Sequence, residues 1–206
     1  LEDVERTSAA PGARVVVYCD YVSPFCYLAE PGLRRLRDEA GVWVERRAYE
    51  LWPAPTELPD PREAERDWAT VVEPLARELG LELRCPRTQP RTRKAHEAAV
   101  YAREHGRFDE FHEALYRAHF VEGLDIGRID VLAELGARLG LDAQDLRIAL
   151  GVDRYTEQVL AEEAEALRRG VRGVPAYVVG GRLITGLQRY EDLLELIQRS
   201  AADAGG

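Results

Sequence analysis

The chain has 206 residues, of which 46% are hydrophobic and 32% charged, with 28 basic side chains against 37 acidic ones and a net charge of −9. That size and balance suit one core, or one domain carrying a large insertion, and exclude a disordered chain. The acidic balance excludes a protein built to bind the phosphate backbone, which needs clustered cations, and no apolar run reaches the length of a membrane span.

Residues 1–13 are polar or small, without the apolar stretch of a secretory leader, and read as an N-terminal tail. Arg14–Cys19 is a short valine-rich run of the kind that forms a fully buried strand. Ser23-Pro24 then matches the preferences for the cap and first position of a helix. A break is expected near Pro31-Gly32, with the helix resuming through Leu33 and Leu36 to Gly41. Val42–Leu51 has strand content, so the chain opens β-α-β, an order that favours a right-handed crossover and parallel pairing. Trp52–Arg62 is proline-rich and reads as a loop.

Helical spacing follows over Glu63–Leu79, Thr92–His105, Phe108–Val121, Ile129–Leu139 and Arg154–Arg169, punctuated by Gly80, Gly106, Gly123, Gly127 and Gly140. Val174–Val179 and Arg182–Thr185 flank Gly180-Gly181, a hairpin signal. Tyr190–Ala201 is an amphipathic helix with Leu193, Leu194 and Ile197 on its apolar face, and residues 201–206 are expected to fray. The order β-α-β, helical block, β-β-α predicts an α/β protein with a thioredoxin-like fold and a large all-helical insertion. A discontinuous domain, 14–60 and 171–206, would surround helices in 61–170.

Three segments could carry chemistry. The first is Ser23-Pro24-Phe25-Cys26 at the start of a helix. A serine there is an ordinary cap, or a hydroxyl that holds a substrate thiolate beside the helix dipole. Cys26, one turn in, is either a reactive thiol or a small buried apolar group. The second is Val174-Pro175; a cis bond there would present the Val174 N–H and C=O to an extended ligand, and a rigid turn before a strand is the plainer reading. The third is Asp20, which enters the first loop and is suited to bonding loop backbone or tuning a bound thiol.

Cys19, Cys26 and Cys85 are too few and too irregular for a disulfide framework, so a reducing cytoplasm is expected and a Cys19–Cys26 bridge is disfavoured. His96 lacks the second histidine of a zinc helix, and no metal site is expected. His105, His112 and His119 recur every seven residues, but Gly106 divides them between two helices, and surface or hydrogen-bonded roles suffice. Trp43, Trp52 and Trp68 read as core or cleft wall, and Glu157–Glu165 as a solvated helix face.

Several segments together resemble the DsbA-like branch of the thioredoxin superfamily, and its FrnE subgroup most. They are Asp20-Tyr-Val-Ser-Pro-Phe-Cys-Tyr, Gln89-Pro-Arg-Thr-Arg-Lys-Ala-His96, Phe111–Gly127, and Gly173-Val-Pro-Ala-Tyr-Val-Val-Gly-Gly-Arg with Gly186-Leu-Gln188. Two positions depart from the family's pattern: Ser23 replaces the first cysteine of Cys-x-x-Cys, and Arg91 replaces an asparagine. Ser-Pro-Phe-Cys is also similar to the Ser-Pro-Tyr-Ser of 2-hydroxychromene-2-carboxylate isomerases and kappa-class glutathione transferases.

The resemblance implies a thiol–disulfide oxidoreductase-like enzyme with Ser23 and Cys26 at its centre and Asp20, Pro24, Phe25, His96, Val174 and Pro175 around the substrate. Without a second motif thiol it would act as a monothiol. The alternatives are a glutathione-dependent transferase or isomerase, and a non-catalytic peptide-binding or chaperone module. In each case the expected partner is a small thiol or a peptide or protein thiol. No tightly bound cofactor, nucleic acid or membrane is expected, glutathione is a candidate substrate, and the chain is expected to be a monomer or homodimer.

Overall fold

The computed structural model describes residues 13–204; the expected tail therefore lies outside the described residues apart from Ala13, as do Gly205 and Gly206. Four strands, β1 (Arg14–Cys19), β2 (Trp43–Ala48), β3 (Ala176–Val179) and β4 (Arg182–Thr185), form one mixed sheet in the order β2-β1-β3-β4. β1 pairs parallel with β2, Val15 opposite Val44, and antiparallel with β3, Val15 opposite Val179. β3 and β4 are the expected hairpin.

The period-two alternation of β1 decides what covers each face. Val15 and Val17 point to one side and are buried with Leu33 and Leu36 of helix α1 (Pro24–Asp38) and Leu193 and Ile197 of α9 (Tyr190–Ala204). Tyr18 points to the other side, where it meets Ala176, Val178, Val171 and Ala166, the last from α8 (Thr156–Arg168).

The residues between β2 and β3 are helical: α2 (Pro61–Asp67), a π-helical turn (Trp68–Val72), α3 (Glu73–Glu78), α4 (Arg93–Glu104), α5 (Phe108–Phe120), α6 (Ile129–Arg138), α7 (Ala143–Gly151) and α8. Their core runs through Trp68, Val100, Phe111, Leu115, Phe120, Ile126 and Leu146 and continues into Tyr21, Cys26 and Tyr27 beside the sheet.

Four expectations are corrected. α1 does not break at Pro31-Gly32; the helix is continuous and Pro31 lies inside it. Proline removes one backbone bond, at ~3 kcal/mol, but Leu33 and Leu36 are buried against the sheet and Leu28 in the helical core, and each contributes about 1.5–3 kcal/mol. α7 was not expected; Asp142 caps it, accepting from the N–H groups of Gln144 (2.8 Å) and Asp145 (3.0 Å). Trp43 is 67% exposed and lines an open surface cleft with Val44 and Phe108, the cleft-wall alternative rather than core. Helix α9 continues to Ala204, past the point where fraying was expected.

The fourth correction concerns the acidic run of α8, which is not simply solvated. It lies against the outer edge of β2, where Glu162 accepts from Ala48 N–H (2.7 Å) and Glu163 from Glu50 N–H (3.0 Å). Arg103 of α4 donates to the Arg46 carbonyl on the same edge (2.9 Å). Edge-strand groups need partners, and here side chains supply them.

Candidate functional site

The parallel β1–β2 pairing brings the C-terminal ends of both strands to the same side of the molecule, where α1 begins. Ser23 has extended backbone geometry and its N–H donates to the Asp20 carbonyl (3.1 Å). Its Oγ accepts from Cys26 N–H (3.3 Å), the cap that Ser-Pro foretold. This contact uses the oxygen as acceptor only, which leaves the hydroxyl proton for a second partner, and the adjacent Cys26 sulfur is one such acceptor.

Asp20 is buried and ties three elements together. Its Oδ2 accepts from Leu51 N–H (2.7 Å) just beyond β2, and its Oδ1 faces His96 Nε2 of α4 (3.3 Å). His96 thus reaches the site through Asp20 and is a positioning group for the loop that carries Ser23.

Cys26 is 1% exposed. Burial pushes its thiol up to about 12, against the opposing contact of the Ser23 hydroxyl. Cys19 is likewise buried and its thiol is raised well above the ordinary range by burial and by the neighbouring Cys26. Both are free thiols, as is the half-buried Cys85. A thiol in this condition is a poor thiolate donor at neutral pH.

Ser23 is 4% exposed, and Pro24, Phe25 and Val174 are partly exposed. Phe25 and Val174 pack on the apolar cluster that contains Cys26. The Val174–Pro175 peptide is cis, and the Pro175 carbonyl accepts from Gly186 N–H (2.9 Å). Among the described residues no hydrogen bond reaches the Val174 N–H or C=O.

A second buried polar chain lies behind this loop, and sequence reasoning missed it. Tyr21 Oη contacts His112 Nδ1 (2.9 Å), and His112 Nε2 contacts Glu30 Oε1 (2.9 Å). Glu30 takes a two-pronged contact from Arg46, Nε to Oε1 (3.1 Å) and Nη2 to Oε2 (2.6 Å). Burial alone would raise the Glu30 carboxyl; Arg46 and His112 instead hold it well below the usual carboxylate range. Burial pushes His112 down against the pull of Glu30. The seven-residue spacing of His112 and His119 was the available signal, since it places both on one face of α5.

His119 fares differently. It is 1% exposed, and neither ring nitrogen has a partner of hydrogen-bond geometry among the described residues, although the Leu124 main chain lies close. Burial lowers it to about 4, so the ring is neutral at pH 7. Among the described residues no group of three or more His, Cys, Asp or Glu is placed to hold a metal ion, and no helix is long and apolar enough to cross a membrane.

The mixed sheet, the helical segment between β2 and β3, the capped start of α1 and the cis Val-Pro step before β3 define a thioredoxin-like protein of the DsbA architecture. The DSBA-like thioredoxin domain matches residues 14–198, and the chain belongs to that family. Bacillus subtilis (strain 168) has a relative 31% identical over 180 residues, the uncharacterized protein YwbO, with 84% of this chain and 89% of YwbO covered. The 2-hydroxychromene-2-carboxylate isomerase of Sphingobium xenophagum is 26% identical over 186 residues, covering 85% and 93%. The crystal structure of a probable DsbA oxidoreductase, SCO1869 from Streptomyces coelicolor, superposes with a TM-score of 0.77 at 26% identity, covering 92% and 90%. The relatives thus include proteins named as oxidoreductase and as isomerase, in keeping with an enzyme.

Proposed function

We propose that this protein binds a small thiol of the glutathione class at the start of α1 and works in glutathione-dependent isomerisation or transfer rather than in disulfide exchange. The observation that carries the reading is the pairing of a serine at the helix cap with a Cys26 thiol that is 1% exposed. Disulfide exchange needs an accessible thiolate and a second thiol to resolve the mixed disulfide. Ser23 is not that nucleophile, and a monothiol reaction would have to draw Cys26 out of the core. A hydroxyl at a helix N-terminus is suited to a different task. It donates to a ligand thiolate, which the dipole and first-turn N–H groups also favour.

The free Val174 peptide groups suit an extended ligand main chain lying alongside in the manner of an added strand. Similarity to the Sphingobium isomerase along most of both chains supports the same class of chemistry. The test is calorimetry with reduced glutathione at neutral pH. Binding should weaken ~10-fold or more in Ser23→Ala, as for loss of a hydrogen bond to a charged group. Equal affinity in the variant, or no binding to the wild type, sinks the reading.

A further inference from the structure

We infer that Arg91 is the anion-recognising side chain of this thiol site, so that its ligand is a thiol bearing a carboxylate; this rests on the reading above and adds to it the class of substrate. Three cations cluster at the start of α4, and two are consumed by the protein. Arg93 is paired with Glu50 and with Glu163 (3.3 Å). Lys94 is paired with Glu97 (2.9 Å) and Asp153, and also donates to the Leu150 carbonyl (2.8 Å). Arg91 is half-buried, yet among the described residues its one hydrogen bond runs from Nη1 to the Trp52 carbonyl (2.8 Å).

No described carboxylate pairs with it, in a chain with 37 acidic side chains. A partly desolvated guanidinium without an anion is unfavourable, and its planar fork matches a carboxylate.

The position of Arg91 joins it to the thiol site. Trp52 follows Leu51, whose N–H is held by Asp20, and the Asp20 carbonyl holds Ser23 N–H. From the other side, Arg91 directly precedes Thr92, whose carbonyl accepts from the N–H of His96, the residue facing Asp20. Both routes end on the same aspartate. The main chain there is also closely packed: a Cβ on Gly127 would lie 2.9 Å from the Arg91 carbonyl oxygen and 3.3 Å from Pro90 Cβ. The main chain at Arg91 is thus closely held, and apart from the Trp52 carbonyl no hydrogen-bond partner among the described residues takes up the guanidinium's N–H groups.

Calorimetry on the full chain tests this with three probes: glutathione, S-methylglutathione, which cannot form a thiolate, and glutathione diethyl ester, which has lost both carboxylates. Wild type is compared with Arg91→Gln, Arg91→Lys, Ser23→Ala and, as a surface control on the hairpin, Arg182→Gln, with thermal unfolding confirming that each variant is folded. Arg91→Gln should weaken glutathione and S-methylglutathione ~10–100-fold. The ester should bind the wild type as weakly as glutathione binds Arg91→Gln, with no further loss in that variant. Arg91→Lys should retain part of the affinity, and Arg182→Gln all of it.

Wild-type affinity in Arg91→Gln, or additive losses from variant and ester, overturns the assignment while leaving the thiol reading intact if Ser23→Ala still weakens glutathione. Conversely, S-methylglutathione binding that depends on Arg91 alongside no effect of Ser23→Ala keeps the carboxylate site and removes the thiol contact. Failure of every probe to bind the wild type overturns both.

Discussion

Two buried polar groupings lie on either side of Tyr21, and they are finished to different degrees. Behind it, His112, Glu30 and Arg46 satisfy one another within a few ångströms, linking α5, α1 and β2. In front of it, Asp20 and His96 are partnered, but among the described residues the Val174 peptide groups and the remaining N–H groups of Arg91 have no partner. Elements are held by the closed grouping, because a buried charge is tolerated when its partners are all present. The open one has the character of a place prepared for something that is not protein. The contrast locates function by what is unsatisfied rather than by which residues are most charged.

Arg46→Ala should do the greatest damage. It strands the Glu30 carboxylate and should cost about 3–5 kcal/mol of stability in urea denaturation; a loss under ~1 kcal/mol would mean the closed grouping holds nothing. Ser23→Ala should cost only about 1 kcal/mol, the worth of a helix cap, so any larger effect on ligand affinity than on melting marks it as a binding residue. His119→Phe should be nearly neutral at pH 7, within about 0.5 kcal/mol, because it replaces an unpartnered buried polar ring with one of similar shape.

The same histidine sharpens the comparison in acid. Its folded-state pKa of about 4 lies below the ordinary 6.5. The unfolded chain therefore binds more protons as pH falls through that window, and stability is lost on the way down. His112 and Glu30 act in the same direction. His119→Phe should flatten the decline between pH 6.5 and 4 in a denaturation series, leaving the share due to the other two.

Glu163 runs the opposite way. Burial and the adjacent Glu50 raise it to about 7 from 4.5, so its contribution is lost as pH rises through 7. Glu163→Gln should abolish that decline between pH 4.5 and 7, and an unchanged profile would dismiss the assignment.

Much of this was legible along the chain, where the cause is local. The valine run of β1, the Ser23-Pro24 cap, the Gly180-Gly181 turn and the helical periods each announce themselves within a few residues. Pro31 misled because the opposing force, burial of Leu33 and Leu36 on a distant sheet, is not local. α7 was overlooked because its apolar face is only Leu146, Ala149 and Leu150, although Asp142 was present as a cap signal.

The acidic run of α8 was misread for a related reason: its partners, the main-chain N–H groups of Ala48 and Glu50, are invisible to any charge pattern. Within the site, Asp20 and His96 were identified with the help of family resemblance, and the structure places them in contact. The chain from Tyr21 to Arg46 was not, since no motif connects Glu30 with a histidine 82 positions later.

Consider finally what Glu162, Glu163 and Arg103 do for the sheet. They stand where a fifth strand would otherwise bond, taking up main-chain groups along the outer side of β2. The helical segment is therefore no detachable cap on a minimal thioredoxin-like body. Replacing it with a short linker would uncover a ready template for strand addition, and such a trimmed protein should self-associate through β2 rather than persist as a smaller version of its parent.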